Sequence, residues 1–259
     1  MPSPDTAAAP VAFDFTWRRY RINIATTPEE IALVHEIRHQ VFYLEMLGRP
    51  GPNGTDKDEF DAQCDHLLIR DAATGAPIGT SRFASSRRCQ RFYSQTEFAI
   101  DPFLGWDGGK MELGRTCFLP EHRNNLVIAA FGKSLGTYAS ESDSRWMFGC
   151  TSINTTDCAM AARLCRSFVE HDNCLPVEAA NPLMASRLPG LDAMLAEDGP
   201  ALSDAERNEI LPPLLRGYLR AGAKISTLPS YDPAFACIDF FTTLDLDSSD
   251  AGFMRRYTK

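Results

Sequence analysis

The 259-residue sequence lacks several features that would each assign it to a particular class of protein. Its best apolar run, residues 126–131, is far shorter than the ~20 residues that a membrane-spanning helix needs. Basic residues are not in excess: 26 lysines and arginines against 34 acidic residues give a formal net charge of −8, which argues against a general nucleic-acid-binding surface. None of the eight cysteines forms a C-x-x-C pair, so neither a zinc ribbon nor a thiol redox motif is indicated.

Residues 1–19 have neither the basic start nor the long apolar core of a signal peptide, and we expect a flexible leader there. Without an export signal, reduced cysteines and a cytoplasmic location are the simplest expectation. Residues 20–259 contain no internal repeat and no low-complexity linker. The sequence is 44% hydrophobic and 23% charged, and we predict one globular domain over residues 20–259.

Hydrophobic periodicity and turn residues predict a mixed α/β order of elements. The predicted strands are residues 20–25, 66–70, 77–83, 110–119, 146–153 and 236–244, and the predicted helices are residues 28–42, 122–138, 156–170 and 212–221. The first helix has the clearest beginning, because Thr27 suits the N-cap, Pro28 suits the first turn and Glu30 is placed to bond back toward the N-cap. Ser203 and Glu206 form a second capping box.

Residues 111–118 have the apolar pattern of a buried strand, yet they include Glu112 and Arg115. A lone buried charge is costly, so each of these side chains needs a partner. Such a conflict between local pattern and residue type is expected at functional sites. On this segment alone, a structural Glu–Arg pair that braces the strand is the slightly favoured interpretation.

The sequence His35-Glu36-Ile37-Arg38-His39 is a complete H-E-x-x-H pattern. On a helix its two histidines lie on one face, as in zinc hydrolases. The His-x-x-Gly-x-x-His extension is missing, and no third ligand is evident beyond Glu45 or the acidic loop, so an ordinary helix face is the favoured interpretation.

Two charged segments allow more than one interpretation. The acidic loop around residues 56–66 is either a solvated loop or a binding site for a cationic group. Arginines interleaved with aromatic residues follow the second strand of the predicted hairpin, at positions 82, 87, 88 and 91. They form either a solvated face or a docking surface for an acidic carrier protein, while the acidic remainder of the chain disfavours RNA binding.

Several short segments together resemble a known family. In chain order they are Arg38 with Val41 and Phe42, Phe60-Asp61 with Cys64-Asp65-His66-Leu67, Gly79-Thr80 with Arg82, Phe92-Tyr93-Ser94 with Glu97-Phe98, Glu112-Leu113-Gly114-Arg115, residues 148–152, and residues 212–215 with Tyr218. Their order and spacing resemble those of the ornithine–acyl-carrier-protein N-acyltransferases, the N-acyl amino acid synthase branch of the GNAT superfamily. Acyl-homoserine-lactone synthases are similar and share a sparser pattern, which falls here on Arg38, Phe42, Asp61, Arg82, Phe98, Glu112 and Arg115.

The resemblance covers about residues 20–245 and implies an α/β fold of the GNAT type. This is a mixed, mostly antiparallel sheet flanked by helices, with central strands that splay apart to admit an acyl-pantetheine arm and a lipid-branch extension at about residues 176–245. The implied activity is transfer of a (3-hydroxy)acyl chain from acyl carrier protein to the α-amino group of L-ornithine, in bacterial ornithine lipid biosynthesis. No cofactor and no metal are implied, and the lipid product implies peripheral contact with the inner membrane.

One departure from other GNAT proteins bears on the acyl donor. Acetyl-CoA-dependent members usually carry R/Q-x-x-G-x-G/A at the helix that follows the central strand, where backbone N–H groups cradle the pyrophosphate. Residues 123–128 of this chain have no glycine. An acyl carrier protein presents a phosphopantetheine arm without a pyrophosphate, so the departure favours acyl carrier protein as donor.

The implied reaction suggests roles for individual residues. Glu112 is the candidate base, directly or through a water, and Arg115 would orient it or bind the substrate carboxylate. Residues three apart on a flat strand point to opposite faces, so a bulge is expected if both are to meet. Backbone N–H groups near Thr116, Cys117 and Phe118 are candidates to stabilise the oxyanion. The other candidate substrate-binding residues are Arg38, Phe42, Asp61, Asp65, Arg82 and Phe98.

If ornithine is the acceptor, Asp61 or Asp65 is expected to pair with its side-chain ammonium group. Arg87, Arg88 and Arg91 are the expected carrier-protein docking residues. The open alternatives are another amino acid acceptor such as glycine, a signal synthase acting on S-adenosylmethionine, a zinc hydrolase built on the H-E-x-x-H pattern, and a non-catalytic acyl-carrier or lipid-binding module.

Overall fold

The computed structural model describes residues 9–247. Its strands are β1 (Asp14–Trp17), β2 (Tyr20–Ile24), β3 (Asp65–Asp71), β4 (Pro77–Ser85), β5 (Phe98–Ala99), β6 (Gly109–Phe118), β7 (Ser144–Ile153), β8 (Asn181–Pro182), β9 (Lys224–Ile225), β10 (Ser230–Asp232) and β11 (Cys237–Asp245). Its α-helices are α1 (Pro28–Arg38), α2 (Asp101–Leu104), α3 (Asn125–Glu141), α4 (Cys158–Glu170), α5 (Leu191–Ala196), α6 (Asp204–Ile210) and α7 (Pro213–Arg220).

Two compact units make up this part of the chain. The first contains residues 9–92 and 109–145, and the second contains residues 93–108 and 146–247. The single domain expected over residues 20–259 stays a prediction. Of the expected leader, residues 1–8 lie outside the described residues, whereas Asp14–Trp17 forms β1 and pairs with β2. Regular structure therefore begins inside the segment for which the sequence predicted a flexible leader.

In the first unit, β1, β2, β3, β4 and β6 form an antiparallel sheet in that order. β3 and β4 are the predicted hairpin. One face of the sheet packs against α1 through Val34, Ile37 and Cys117. Phe118, the next residue along β6, faces the opposite way and contacts Phe131 of α3, with ring centroids 5.7 Å apart. Helices therefore cover both faces of this sheet.

The predicted start of α1 is confirmed by its hydrogen bonds. Thr27 Oγ1 accepts a hydrogen bond from the Glu30 N–H at 3.3 Å, and the Glu30 carboxylate accepts one from the Thr26 N–H at 3.0 Å. The α-helix ends at Arg38, and residues His39–Met46 continue as a π-helix where the sequence predicted one helix to about residue 42. π-helical turns are frequent at functional sites, and this one directly follows a buried arginine.

A β-bulge interrupts the pairing of β4 with β6. Thr80 lies opposite Cys117 while Arg82 lies opposite Gly114, so β6 contains one extra residue between these two pairs. Within this interval Arg115 has a φ of +51°, a conformation that residues with a side chain seldom adopt. An extra residue changes the face of the sheet on which the following side chains lie.

The second unit is built around β11, which pairs with residues 146–153 of β7 and also with β10 and β9. β5 and β8 form a separate two-stranded sheet. α4 packs on β11, where the rings of Phe168 and Phe240 lie 5.1 Å apart. The capping box of Ser203 and Glu206 begins α6 as predicted, whereas α2, α5, β5, β8, β9 and β10 were not predicted. Within residues 9–247, no helix has the length and apolar character needed to cross a membrane.

Candidate active site

Arg38, the last residue of α1, is fully buried and binds two aspartates of the acidic loop. Its Nε donates to Asp56 Oδ2 at 2.9 Å, and its Nη1 donates to Asp61 Oδ1 at 2.8 Å. Both aspartates are buried as well. The sequence allowed either a solvated loop or a cation-binding one, and the structure shows that a cation of the protein itself holds these two carboxylates.

Two arginines on neighbouring strands complete a charge network, which consists of Arg38, Arg82, Arg115, Asp56, Asp58 and Asp61. Arg82 of β4 donates from Nη1 to Asp58 Oδ1 at 2.5 Å and to Asp61 Oδ1 at 2.9 Å. Arg115 of β6 donates from Nη2 to the other oxygen of Asp58 at 3.2 Å, and its Nε lies 3.5 Å from Asp56 Oδ2. Three guanidinium groups therefore meet three carboxylates, and their formal charges cancel.

In the charge network, pairing with arginines lowers the pKa values of the aspartates by more than burial raises them. Burial alone would raise the pKa of Asp61, but the hydrogen bond and the charge of Arg38 hold this pKa well below its usual value of 3.8. Burial also opposes ionisation of Asp58, yet Arg82 lowers the pKa of Asp58. These carboxylates are ionised at neutral pH, so removing one arginine would leave a buried charge without its partner.

The bulge brings Glu112 and Arg115 to one side of the sheet. Gly114 lies opposite Arg82, and residues directly opposite each other share a face. Glu112 is two residues before Gly114, so strand alternation gives it the same orientation, and it is buried. The extra residue lets Arg115 reach Asp58, which Arg82 also binds. The bulge expected from the sequence is therefore present, and the catalytic roles of the two residues stay predictions.

The three residues after the bulge lie on alternating faces. Thr116 Oγ1 is 2.8 Å from the hydroxyl of Ser81. Cys117 packs beneath α1, and Phe118 packs against α3. Burial raises the pKa of the Cys117 thiol, which disfavours the thiolate that a covalent acyl-enzyme would need.

The two predicted aromatic residues lie in different units. Phe42 is in the π-helix, with its ring centroid 6.0 Å from Arg115 Cζ. Phe98 belongs to the second unit, where it is buried with its ring centroid 6.0 Å from that of Phe241. The structure therefore brings Phe42 to the charge network and places Phe98 in the aromatic core of the second unit.

The histidines of the H-E-x-x-H pattern have separate partners. His39 Nε2 accepts a hydrogen bond from the Gly51 N–H at 3.0 Å, whereas His35 Nε2 lies 3.7 Å from Asp61 Oδ2. Burial lowers the pKa of His35, and it lowers the pKa of His66 to about 4. His35, Asp61 and His66 hold ligand atoms within 4.8 Å of one another. However, the two arginines on Asp61 oppose a metal cation there, so the zinc-hydrolase alternative gains no support.

Asp65 differs from Asp61 in its partners. Its Oδ1 accepts a hydrogen bond from Arg88 Nη1 at 2.5 Å, and its Oδ2 accepts one from the Tyr138 hydroxyl at 2.9 Å. Both carboxylate oxygens of Asp65 are thus engaged within the first unit. Arg88 is half-buried in this arrangement, and the expected roles of Asp65 in substrate binding and of Arg88 in docking stay predictions.

The other two arginines of the expected docking surface are exposed. Arg91 Nη1 donates to Glu59 Oε2 at 3.0 Å, and the Arg87 N–H donates to Ser85 Oγ at 3.3 Å while its side chain faces solvent. Arg87 and Arg91 are therefore the accessible members of the predicted docking surface.

The N-terminus of α3 is capped by the protein itself. Asn124 Oδ1 accepts hydrogen bonds from the N–H groups of Leu126 and Val127 at 2.9 and 3.1 Å. Arg123 donates to both carboxylate oxygens of Glu45 at 2.6 Å. The N–H groups that face a pyrophosphate in glycine-containing loops are therefore engaged by a side chain.

Asp56 is not among the individual site residues predicted from the sequence. Its only local signal was its place in an acidic stretch, and its partner Arg38 lies 18 residues earlier on a different element. The charge network becomes visible only once α1, the loop and the two strands are assembled.

The chain is similar in sequence to a known domain family and to several known proteins. Residues 37–133 match the family described as the acetyltransferase (GNAT) domain. An L-ornithine N(alpha)-acyltransferase of Rhizobium meliloti is 31% identical over 90% of this chain and 82% of that protein. Another, from Rhodobacter capsulatus, is 27% identical over 98% of this chain and 97% of that protein.

A solved structure confirms the predicted fold class. The crystal structure of TofI in a ternary complex with an inhibitor and MTA has a TM-score of 0.50 at 16% identity, and the match covers 92% of this chain and 97% of that chain. At this identity the likeness concerns the fold alone.

Proposed function

The chain belongs to the family of the L-ornithine N(alpha)-acyltransferases and is an N-acyltransferase, and from this premise we propose that it acylates the α-amino group of L-ornithine. The donor in this proposal is a (3-hydroxy)acyl thioester of acyl carrier protein, and the product is lyso-ornithine lipid. The proposed acceptor is supported by two relatives that are both named L-ornithine N(alpha)-acyltransferase. They match this chain over 82% and 97% of their own lengths.

The thioester is already activated, so the enzyme has to position the amine and remove a proton, and the reaction needs no cofactor. A bond forms between the amine nitrogen and the acyl carbon, and the carbon–sulfur bond breaks. The α-ammonium group loses two protons in all: one passes through a base to the departing pantetheine thiolate, and the other is released to solvent. Glu112 is the proposed base, because it is the buried carboxylate on the face of β6 that also carries the charge network.

The bulge supports a proposed site for the oxyanion of the reaction. The extra residue of a bulge leaves part of the ladder unpaired, so backbone N–H groups around Arg115 and Thr116 are candidates to donate to the oxyanion. Arg115 donates to Asp58, and Arg38 and Arg82 are likewise bound to aspartates. We therefore assign the three arginines and Asp61 a positioning role, in which the network fixes the bulge beside Glu112.

The choice of acyl carrier protein as donor is supported by the capped N-terminus of α3. Asn124 occupies the N–H groups that would otherwise face a CoA pyrophosphate. The proposed docking residues for the acidic carrier protein are Arg87 and Arg91, which are exposed. Because lyso-ornithine lipid is amphiphilic, the proposal includes peripheral contact with the inner membrane.

The proposal is tested with purified protein, L-ornithine and one 3-hydroxyacyl chain, presented either on acyl carrier protein or on CoA. We expect N-acyl ornithine by mass spectrometry with the carrier-protein thioester, and a much lower kcat/KM with the CoA thioester. Glycine and S-adenosylmethionine serve as competing acceptors. No N-acyl ornithine from either donor would exclude the proposed function, and equal use of the two donors would exclude the donor assignment.

The proposed base is tested by Glu112→Gln, which keeps the shape of the side chain and removes its basicity. We expect kcat to fall by about 100- to 10,000-fold, since general bases contribute about that much. Glu121→Gln changes an exposed glutamate a few residues beyond the same strand and should leave kcat unchanged. Near-normal turnover by a folded Glu112→Gln protein would rule out Glu112 as the base.

A further inference from the structure

Two thiols that are far apart in the sequence lie side by side in the first unit. Cys64 directly precedes β3, and Cys89 follows the turn after β4. Cys89 Sγ donates a hydrogen bond at 3.2 Å to the carbonyl oxygen of Gln63, which belongs to the peptide bond before Cys64. A further hydrogen bond joins the two thiols themselves. We call Cys64 and Cys89 the cysteine pair, and the proposed mechanism uses neither of them.

Contacts on both sides of the cysteine pair hold the two chain segments together. Asp65, next to Cys64, accepts a hydrogen bond from Arg88, next to Cys89, at 2.5 Å between Oδ1 and Nη1. Gln63 Nε2 donates to the carbonyl oxygen beyond the pair, at residue 91, at 3.0 Å. A disulfide needs such a fixed approach, because its sulfur atoms must come within about 2.05 Å of each other.

The surroundings of the cysteine pair favour a thiolate on one of its sulfur atoms. The hydrogen bond from Cys64 lowers the pKa of Cys89 and outweighs burial, and the charge of Arg88 acts in the same direction. Asp65 and Glu112 oppose this shift but are outweighed. The same hydrogen bond raises the pKa of Cys64, which keeps its proton. Because the thiolate is the reactive form, Cys89 is suited to attack an oxidant and Cys64 to react with the oxidised sulfur.

The cysteine pair differs from the deeply buried cysteines in its access to solvent. Cys64 is half-buried, and Cys89 beside it is 3% exposed. Burial raises the pKa of Cys117 and of Cys165 to about 12 or above, which leaves those thiols protonated. A small oxidant such as a hydroperoxide suits the narrow approach to Cys89 better than a bulky disulfide does.

We propose that Cys64 and Cys89 form a redox-active site that a small hydroperoxide converts into a reversible disulfide. With hydrogen peroxide, the Cys89 thiolate attacks one oxygen, so an S–O bond forms, the O–O bond breaks and hydroxide leaves to become water. The Cys64 sulfur then attacks the sulfenic acid on Cys89, so the S–S bond forms, the S–O bond breaks and the Cys64 proton leaves with hydroxide as a second water. Two thiols lose two electrons in all, and one peroxide gains them.

This inference does not depend on the acyl donor or acceptor proposed above, so failure to acylate ornithine would leave it standing. A soft metal ion is the competing ligand for two neighbouring thiols. Within residues 9–247, the groups of three or more side chains that could hold a metal ion include neither Cys64 nor Cys89. The adjacent carboxylate of Asp65 is bound by Arg88 and Tyr138. Oxidation is therefore the chemistry that the surroundings of the cysteine pair favour.

The test begins with protein that has been reduced with dithiothreitol and transferred to deoxygenated buffer near neutral pH without reductant. One molar equivalent of hydrogen peroxide is added, the remaining thiols are blocked with N-ethylmaleimide, and a non-reducing digest is analysed by mass spectrometry. We expect one pair of peptides joined through Cys64 and Cys89, lighter than the two thiol peptides by two hydrogen atoms and separated again by dithiothreitol. Cys158 is the matched control, because it is half-buried and its Sγ also donates to a carbonyl oxygen, that of Pro189, at 2.8 Å. Its thiol should be recovered with N-ethylmaleimide attached.

Single variants separate the roles of the two sulfur atoms. In Cys64→Ser the sulfenic acid has no second thiol to react with, so the sulfenic-acid reagent dimedone should label Cys89. In Cys89→Ser, dimedone should label Cys64 far less, and Cys158→Ser should form the disulfide as the wild-type protein does. Thermal unfolding checks that each variant folds, and the cross-link in the wild-type protein is measured without any variant.

Three results would overturn the inference. The first is a wild-type protein in which peroxide oxidises other cysteines while Cys64 and Cys89 both stay free. The second is equal dimedone labelling of Cys64 and Cys89 in the two folded variants, which would remove the assigned roles. The third is stoichiometric zinc that both variants lose and that blocks oxidation of the wild-type protein, which would show a metal site instead.

Discussion

The two units bury aspartates and glutamates in opposite ways. In the first unit, Asp56, Asp58 and Asp61 are matched by Arg38, Arg82 and Arg115 at distances of 2.5 to 3.5 Å. In the second unit, the groups that act most strongly on Glu97 are two other acids and a tyrosine. The first arrangement pairs three carboxylates with three arginines, whereas the second favours the protonated form of Glu97.

The directions of the pKa shifts express this difference. The pKa of Asp61 is held below 3.8 because Arg38 outweighs burial, and the pKa of Glu97 rises to about 8 because burial and Asp239 act together. A neutral network that needs no ligand is suited to hold a loop and a bulge in place. Glu97 instead keeps its proton to a higher pH, so its burial costs stability as the pH rises.

The largest expected effect comes from breaking the charge network of the first unit. Arg38→Met keeps the length and apolar stem of the side chain but leaves Asp56 and Asp61 without this partner. We expect the free energy of unfolding to fall by about 3 to 5 kcal/mol, the usual cost of removing one member of a buried ion pair. Urea denaturation measures this change.

The control for this experiment is Arg91→Met, which removes an exposed ion pair with Glu59. Exposed pairs contribute about 0 to 1 kcal/mol, so this variant should remain close to the wild-type protein. Equal losses in the two variants would show that the buried network stabilises the unit no more than a surface pair does, and the comparison between the two units would then fail.

A smaller effect is expected from relieving repulsion in the second unit. The folded protein raises the pKa of Glu97 above its ordinary 4.5, so it holds a proton that the unfolded chain releases. The associated stability is fully present below about pH 4.5 and is lost as the pH rises through about 8. Asp239 of β11, Asp232 of β10 and Tyr93 are the ionisable groups that act on Glu97 there.

Glu97→Gln removes this titration. Without ligand, we expect the variant to become more stable relative to the wild-type protein by about 1 to 3 kcal/mol between pH 5 and pH 8. Thermal unfolding at several pH values measures the difference, with Asp192→Asn as the exposed control. Asp61 has the opposite sign, since its contribution is present above about pH 3.8 and is lost only in stronger acid. A pH-independent difference between Glu97→Gln and the wild-type protein would contradict the assignment.

Local signals predicted most of the fold. The caps at Thr27 and Ser203, the hairpin of β3 with β4, and the β6 strand were visible because each depends on residues close in the sequence. The short strands β5, β8 and β9 were missed because pairing with distant segments, rather than their own composition, makes them strands. β10 was missed because it is only three residues long, although it pairs with the adjacent strand β11.

The candidate site was predicted less completely, and for a physical reason. Glu112 and Arg115 could be selected because charged residues conflict with a buried strand. The partners of those charges could not be predicted, because one extra residue in β6 decides which face of the sheet each side chain occupies. Asp65 shows the same limit, since Tyr138 is 73 residues away and reaches it only through the packing of α3.

The smallest expected effect concerns arginines outside the charge network. Arg87 and Arg91 are exposed, so their charge is available for encounter with a partner rather than for structure. Reversing both charges, Arg87→Glu with Arg91→Glu, should raise KM for the acyl-carrier-protein donor about 3- to 10-fold at low salt, chiefly through slower association. The difference should shrink as ionic strength rises, because salt screens surface charges, and it should be absent with a pantetheine thioester that lacks the carrier protein.

Charge reversal at Arg187 and Arg220 in the second unit is the matched control. An equal rise in KM for both donors would show that Arg87 and Arg91 act on the site itself and not on the carrier protein.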